Sequence, residues 1–229
     1  MNHKELDERE NHKTLERIDG NYIWKEIRSV LNLDKGILYT IKELLLRPGH
    51  TVREFILYDR KRLVKPILFV IFSSLVFVIL QKTLDFNTGA APENMASPGV
   101  TQAFAWVGEN FGIFNILLGF FIGFWTRLFF IKSRYNIYEI FILVFFTIGI
   151  GNLIYTFFGI VESISGFESY GLTYLIAMAY SVWAIGSFFN KNKILSYFGG
   201  LLSYFFGTMT GSFLIALVGI LMDLFNKSG

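Results

Sequence analysis

The sequence predicts an all-α fold, a polytopic membrane helix bundle of five transmembrane helices preceded by cytoplasmic amphipathic helices. Three observations carry that expectation. The 229 residues are 53% hydrophobic and include 26 Phe, with a mean hydropathy of +0.47. Charged side chains make up 17% of the chain, against roughly 25% in an average soluble domain. The charges are also uneven: residues 1–65 hold 14 of the 21 Lys+Arg and 11 of the 18 Asp+Glu. Five apolar stretches follow, each near or above the roughly 20 residues a helix needs to cross hydrocarbon. The expected organisation is a mobile charged tail at 1–21, cytoplasmic or interfacial amphipathic helices at 22–65 and a five-span transmembrane domain at 66–229.

Residues 1–20 are polar and charged, so they cannot bury enough apolar surface to offset the entropy of ordering. They contain no apolar h-region, so no cleavable signal peptide is expected and the first span acts as the insertion signal. From Tyr22, the residues Ile23, Ile27, Val30 and Leu31 recur at helical spacing beside Trp24, the pattern of a short amphipathic helix. Asp34 can cap a second helix whose stripe is Ile37, Leu38, Ile41, Leu44 and Leu45, too short to span a bilayer. That helix stops at the turn Arg47-Pro48-Gly49-His50, because proline disfavours helical geometry in the residue before it and glycine permits a sharp turn. Thr51-Val52-Arg53-Glu54 has the form of a capping box opening a third helix, with Val52, Phe55, Ile56 and Leu63 on one face. Residues 35–65 carry eight bases against three acids. Lys35, Lys42, Arg47, Arg53, Arg60, Lys61, Arg62 and Lys65 are therefore the candidates for contact with anionic inner-leaflet headgroups.

The five stretches run approximately over 66–80 (extended to 64–82 to reach spanning length), 103–130, 137–158, 171–189 and 194–222. Their loops alternate in charge. Asp85 and Glu93 lie in the first without a base, Lys132 and Arg134 in the second, Glu162 and Glu168 in the third without a base, and Lys191 and Lys193 in the fourth. The positive-inside rule then places the N-terminus in the cytoplasm and the C-terminus outside, in a bacterial inner membrane.

Lipid tails provide no hydrophobic drive for helix association, so close packing needs small residues. Gly199, Ser203, Gly207 and Gly211 recur every four residues in the last stretch, which marks it as a central helix. Gly112, Asn115, Gly119, Gly123 and Thr126 form a similar stripe in the second, and Thr147, Gly151 and Asn152 in the third. Close packing is the preferred reading of these stripes over a pore or ligand cleft, with the phenylalanines of the other faces against lipid. Arg127 and Glu139 flank the short loop at 131–136 and are expected to form a structural ion pair. Glu109 and Asp223 fall near the outer interface. Asn115 and Asn152, the deepest strongly polar side chains, are expected to hydrogen-bond between helices.

The stretch from Asp34 through Ile37-Leu38-Tyr39-Thr40-Ile41-Lys42-Glu43-Leu44, Arg47-Pro48-Gly49-His50 and Val52-Arg53-Glu54-Phe55-Ile56 to Lys61-Arg62 and Pro66 resembles a bacterial family of multi-span membrane proteins classed as a domain of unknown function. The resemblance covers about residues 33–80. Many members of that family begin with a four-cysteine zinc ribbon, which this chain, with no Cys, lacks. The layout of amphipathic segment and five spans is also similar to Yip-type membrane proteins, which implies a role in membrane trafficking or shaping by analogy of architecture alone.

The absence of Cys excludes a disulfide framework and a cysteine zinc site, and all three His precede residue 51, so no metal site or cofactor is expected. No Ser-His-Asp set or paired catalytic carboxylates are visible, and His50 in a Pro-Gly turn reads as a surface or capping residue rather than a general base. Basic residues that abut the first span meet headgroups, not nucleic acid. The expectation is a non-enzymatic, membrane-organising scaffold that binds lipids or proteins, with a membrane-protein partner or a second copy of the chain also allowed. A small transporter or channel is the alternative.

Overall fold

Hydrocarbon offers no partner to a backbone N–H or C=O, so a chain that crosses it through its own hydrogen bonds is helical or a closed barrel. The computed structural model describes residues 36–86, 97–167, 169–190 and 192–228, and every element in them is an α-helix. They are α1 (Ile37–Leu46), α2 (Pro48–Leu57), α3 (Pro66–Leu84), α4 (Pro98–Glu109), α5 (Phe111–Phe129), α6 (Ile137–Ser165), α7 (Tyr170–Asn190) and α8 (Ile194–Ser228). Five of these, α3 and α5 to α8, are long and apolar enough to cross a membrane, so the protein is an all-α, multi-pass membrane bundle. The charged tail, the helix expected from Tyr22, Asp34 and Lys35 lie outside the described residues.

The spans differ from the expected stretches in ways the backbone explains. Asn110 interrupts the second one, taking φ −111° and ψ 35° and turning its side chain back to the Trp106 carbonyl at 3.0 Å. The expected 103–130 helix is thus the separate α4 followed by the span α5. Helix α6 opens on a capping box in which Asn136 accepts from the Glu139 N–H and Glu139 accepts from the Asn136 N–H. It runs to Gly166, whose left-handed φ of 69° ends it.

The centre of the bundle is α6, not α8. Residues 143–150 of α6 are buried without a break, and α3, α5 and α7 pack around it. Helix α8 lies outside, its span 17% buried against 61% for α6. Its 35 residues extend about 50 Å at 1.5 Å each, more than the hydrocarbon thickness of about 30 Å. The excess pairs with α4, where Gly99 and Gly219 bring the two backbones into contact and the Gly99 N–H donates to Asp223 Oδ1 at 2.8 Å.

Small residues set the close crossings. A Cβ on Gly207 would lie 2.7 Å from the Ile122 Cα, so this glycine brings α8 onto the backbone of α5. Gly199 faces the Phe130 ring, Gly211 faces Leu118, and Gly119 and Gly123 receive the rings of Phe145 and Phe141. Ser203 is fully buried and donates to the Gly199 carbonyl of its own helix at 2.7 Å. Thr126, Thr147, Thr156 and Ser181 bond back to their own helices in the same way, which satisfies each hydroxyl without a neighbour. Phenylalanine is divided between roles: Phe69, Phe77, Phe146 and Phe188 are core residues, and Phe206 stacks on Trp125, so the aromatic side chains are not confined to lipid-facing positions.

Candidate functional site

The helix pair α1–α2 docks on one end of the bundle, here the clamp end, where α7 finishes and α3, α6 and α8 begin. Helix α2 starts at Pro48, one turn before the expected Thr51. Proline suits the first helical position, where no N–H partner is needed, and Arg47 alone forms the junction with α1. The Thr51–Glu54 capping box is therefore absent, and Thr51 instead donates to the Glu43 carbonyl at 3.2 Å. Gly49 sits inside the helix, where a Cβ would run into the backbone of Ser187 and Phe188. It serves a close approach to α7 rather than a turn. Helix α1 begins at Ile37, with Gly36 at φ 61° as the residue that precedes it.

One turn along α2, Arg53 donates from Nη1 to the carbonyls of Ser187 at 2.8 Å and Phe188 at 2.7 Å. The last carbonyls of a helix lack an intrahelical partner, and a guanidinium at that end also meets the negative pole of the helix dipole. Val52, Phe55, Ile56 and Leu63 are buried as expected of one face, although Leu63 follows the end of the helix, and Phe55 meets Phe146 of α6 edge-on at 5.4 Å. Tyr180 of α7 donates to the Leu44 carbonyl of α1 at 3.2 Å. Of the α1 stripe, Ile37 and Leu44 are buried, Ile41 is half-buried, and Leu38 and Leu45 are exposed.

Arg62 ties the pair together. It donates to Tyr39 Oη at 2.6 Å and forms ion pairs with Glu54 and, at 3.2 Å, with Glu43. The hydrogen bond to Tyr39 raises its pKa above the ordinary arginine value, with burial opposing and the two carboxylates adding. Glu43 also meets Arg47 at 3.6 Å, and His50 lies 3.5 Å from Glu54. The bases grouped by sequence thus divide. Arg53 and Arg62 hold the clamp, whereas Lys42, Arg47, Arg60, Lys61 and Lys65 are exposed.

Away from the clamp the bundle opens. A cleft of about 680 Å³ is walled by α4, α5, α7 and α8 and floored by α6. Helices α7 and α8 touch at the clamp end, where Gly186 meets Tyr197 and Gly200 meets the Val182 carbonyl. Further along both border the cleft, α7 through Tyr174 and Ser181 and α8 through Tyr204 and Thr208, with the Tyr174 and Tyr204 rings 6.5 Å apart between centroids. Gly151 lies on the floor with nothing within 4 Å of where a Cβ would stand. None of the lining residues is charged.

Asn115 and Asn152 also line the cleft. Asn115 Nδ2 donates to Asn152 Oδ1 at 2.9 Å, and Asn152 Nδ2 donates to Ser73 Oγ at 3.2 Å and Ser74 Oγ at 2.9 Å. This network joins α3, α5 and α6 and leaves a polar band on an otherwise aromatic and aliphatic wall. Arg127 and Glu139 are not paired: Arg127 donates to the Ile131 carbonyl at 2.9 Å beyond its own helix, and Glu139 is held by the capping box. Sequence reasoning missed the tyrosines of the cleft, Tyr155, Tyr170, Tyr174 and Tyr204. Tyr155, Tyr170 and Tyr174 fall on the far halves of α6 and α7 and Tyr204 in the clamp-side half of α8, so tyrosines recurring inside apolar spans were the available signal.

Residues 34–78 match a family described as "Protein of unknown function (DUF3667)". The match covers α1, α2, the segment holding Arg62 and most of α3, so the matched segment contains the entire clamp. No curated protein and no solved structure matches the chain.

Replacing Arg53 by Met keeps the stem and removes two charge-assisted hydrogen bonds, each worth about 1.5–3 kcal/mol. We expect faster amide exchange across α2 and at the end of α7, with α5 and α8 unchanged. Unaltered exchange in α2 would show that the guanidinium does not hold the clamp.

Proposed function

We infer that the protein is a non-enzymatic, lipid-binding scaffold of the membrane and that a lipid acyl chain occupies the cleft beside Gly151. The observation that carries this is the cleft itself. Its volume falls in the 300–1,000 Å³ range of ligand sites, and its few polar groups stand on a mainly apolar wall. An uncharged lining suits an uncharged occupant, since ion paths through membranes usually carry ionisable side chains. Phe205, Met209 and Phe213 line the cleft and are also exposed on α8, which gives a lipid a lateral way in.

A small transporter is the second reading. It draws on another opening at the clamp end, separated from the cleft by the contact of Gly207 with Ile122. In both readings the charge bias of the loops supports a cytoplasmic clamp end in a bacterial inner membrane, with the exposed bases Lys42, Arg47, Arg60, Lys61 and Lys65 towards anionic headgroups. A reporter that fluoresces only in the cytoplasm should glow when inserted in loop 190–193 and stay dark when fused after Gly229. A glowing C-terminal fusion would overturn this orientation.

Gly151→Phe fills open space, so the protein should keep its thermal stability in mild detergent. Native mass spectrometry should then show the retained lipid weakened by about ten-fold, equivalent to about 1.4 kcal/mol. Retention equal to that of the parent would remove the cleft as the lipid site.

A further inference from the structure

The opening at the clamp end has a chemistry unlike that of the intramembrane cleft. It encloses about 1050 Å³ between the end of α5, the α5–α6 loop, the end of α7 and the start of α8. Four bases from three segments line it: Arg53 from α2, Lys132 and Arg134 from the α5–α6 loop, and Lys193 from the α7–α8 turn. No Asp or Glu is among the lining residues. Lys132, Arg134 and Lys193 are exposed, and among the described residues none of the three forms a salt bridge; Arg134 donates to Tyr135 Oη at 3.3 Å. The carboxylate whose charge reaches Arg134, Glu139, is held by the backbone of Asn136. Arg53 has Nη1 on the two carbonyls of α7, which leaves its remaining N–H groups for another acceptor.

Two further features point to an anion. Ser133 lines the same opening, and its Oγ is buried without a hydrogen-bond partner among the described residues. A buried hydroxyl left unpaired costs about 1–3 kcal/mol, and an oxygen-rich ligand would supply the missing bond. The first turn of α8 also borders the opening at Leu195 and Ser196; the Ser196 N–H is taken by the Lys193 carbonyl at 2.9 Å, so what this helix start adds is the positive pole of its dipole. Below the bases the wall turns apolar along α8, with Leu195 and the exposed Phe198 leading to Leu202. Cations above and hydrocarbon below match an amphiphile with a phosphate head.

We propose that this opening is a binding site for the phosphate of an anionic phospholipid, held by Lys132, Arg134, Lys193 and the Ser133 hydroxyl, with an acyl chain along Phe198 and Leu202 of α8. The site is separate from the intramembrane cleft and does not depend on what occupies that cleft. It differs from the exposed bases of α1, α2 and the loop at 58–65 in having walls, a buried hydroxyl and a helix start, so it discriminates between headgroups where a bare charged surface would not.

The test uses the full-length protein in phosphatidylcholine nanodiscs and the binding of a fluorescent phosphatidylglycerol. The triple variant K132Q/R134Q/K193Q should weaken binding by about ten-fold or more, since each base near an anionic headgroup contributes. A control, K42Q/R60Q/K65Q, removes the same charge from positions that do not line the opening and should change binding less than about two-fold, because charges away from the site act on it only through screening solvent. Ser133→Ala, which alters no charge, should also weaken binding. Inorganic phosphate should compete poorly, because it lacks the chain. Equal losses in the two triple variants would overturn the site in favour of a diffuse surface field. Binding of labelled phosphatidylcholine as tight as that of phosphatidylglycerol would overturn it as a phosphate site for anionic lipid, and full displacement by inorganic phosphate would overturn the lipid as its ligand. Gly151→Phe should leave this binding unchanged, so failure of the intramembrane reading is told apart from failure of this one.

Discussion

Helices in lipid gain nothing by hiding apolar surface from hydrocarbon, because the tails are as apolar as leucine. What holds this bundle together must therefore be close backbone approach, hydrogen bonding inside the membrane and attachments outside it. Each is found at particular residues. Gly207 against Ile122 fixes α8 on α5, and Gly99 against Gly219 fixes α4 on α8. The Asn115–Asn152–Ser73–Ser74 network fixes α3 and α5 on α6. Where such contacts are lacking, the helices part. Gly151, with nothing near it, marks the floor of the cleft.

The third kind of attachment is the clamp. A Pro at the first helical position starts α2 early, which puts Gly49 and Arg53, one turn apart, on the face towards α7 and Phe55 on another face towards α6. Gly49 allows contact with the backbone of α7, Arg53 satisfies its terminal carbonyls, and Phe55 reaches the core of α6. The order of residues in the matched segment thus has a mechanical reading: α1 and α2 brace one end of α7, and the other end of α7 is left to border a space. Bracing at one end and separation at the other is an arrangement suited to admitting a lipid from the side.

Much of this was legible in the sequence, and the failures share a cause. Apolar length located all five spans, and small-residue spacing marked Gly207 and Gly119 as contact positions. The depth of Asn115 and Asn152 pointed to a bond between helices. Local chemistry misled where a tertiary partner decided the outcome. Thr51 to Glu54 has the spacing of a capping box, but Glu54 pairs with Arg62 and Thr51 with the Glu43 carbonyl. Arg127 and Glu139 face across a short loop, but each finds a backbone partner nearer to hand. The regular stripe of α8 suggested a central helix, although a single glycine face gives one tight contact and not burial on all sides. The cleft was not legible, because a glycine that lines a space and a glycine that closes a contact are identical in sequence.

The central claim is that α7 and α8 meet at the clamp end and diverge beyond it. Since the chain has no cysteine, paired spin labels can be placed without background, and pulsed electron resonance in lipid nanodiscs reads the separation directly. Trp183→Cys with Leu201→Cys reports the clamp end, and Leu172→Cys with Leu214→Cys reports the far end, all four positions being exposed. The account predicts a clearly longer mean distance for the far pair than for the clamp pair. Equal distances, with the two helices parallel along their length, would contradict it.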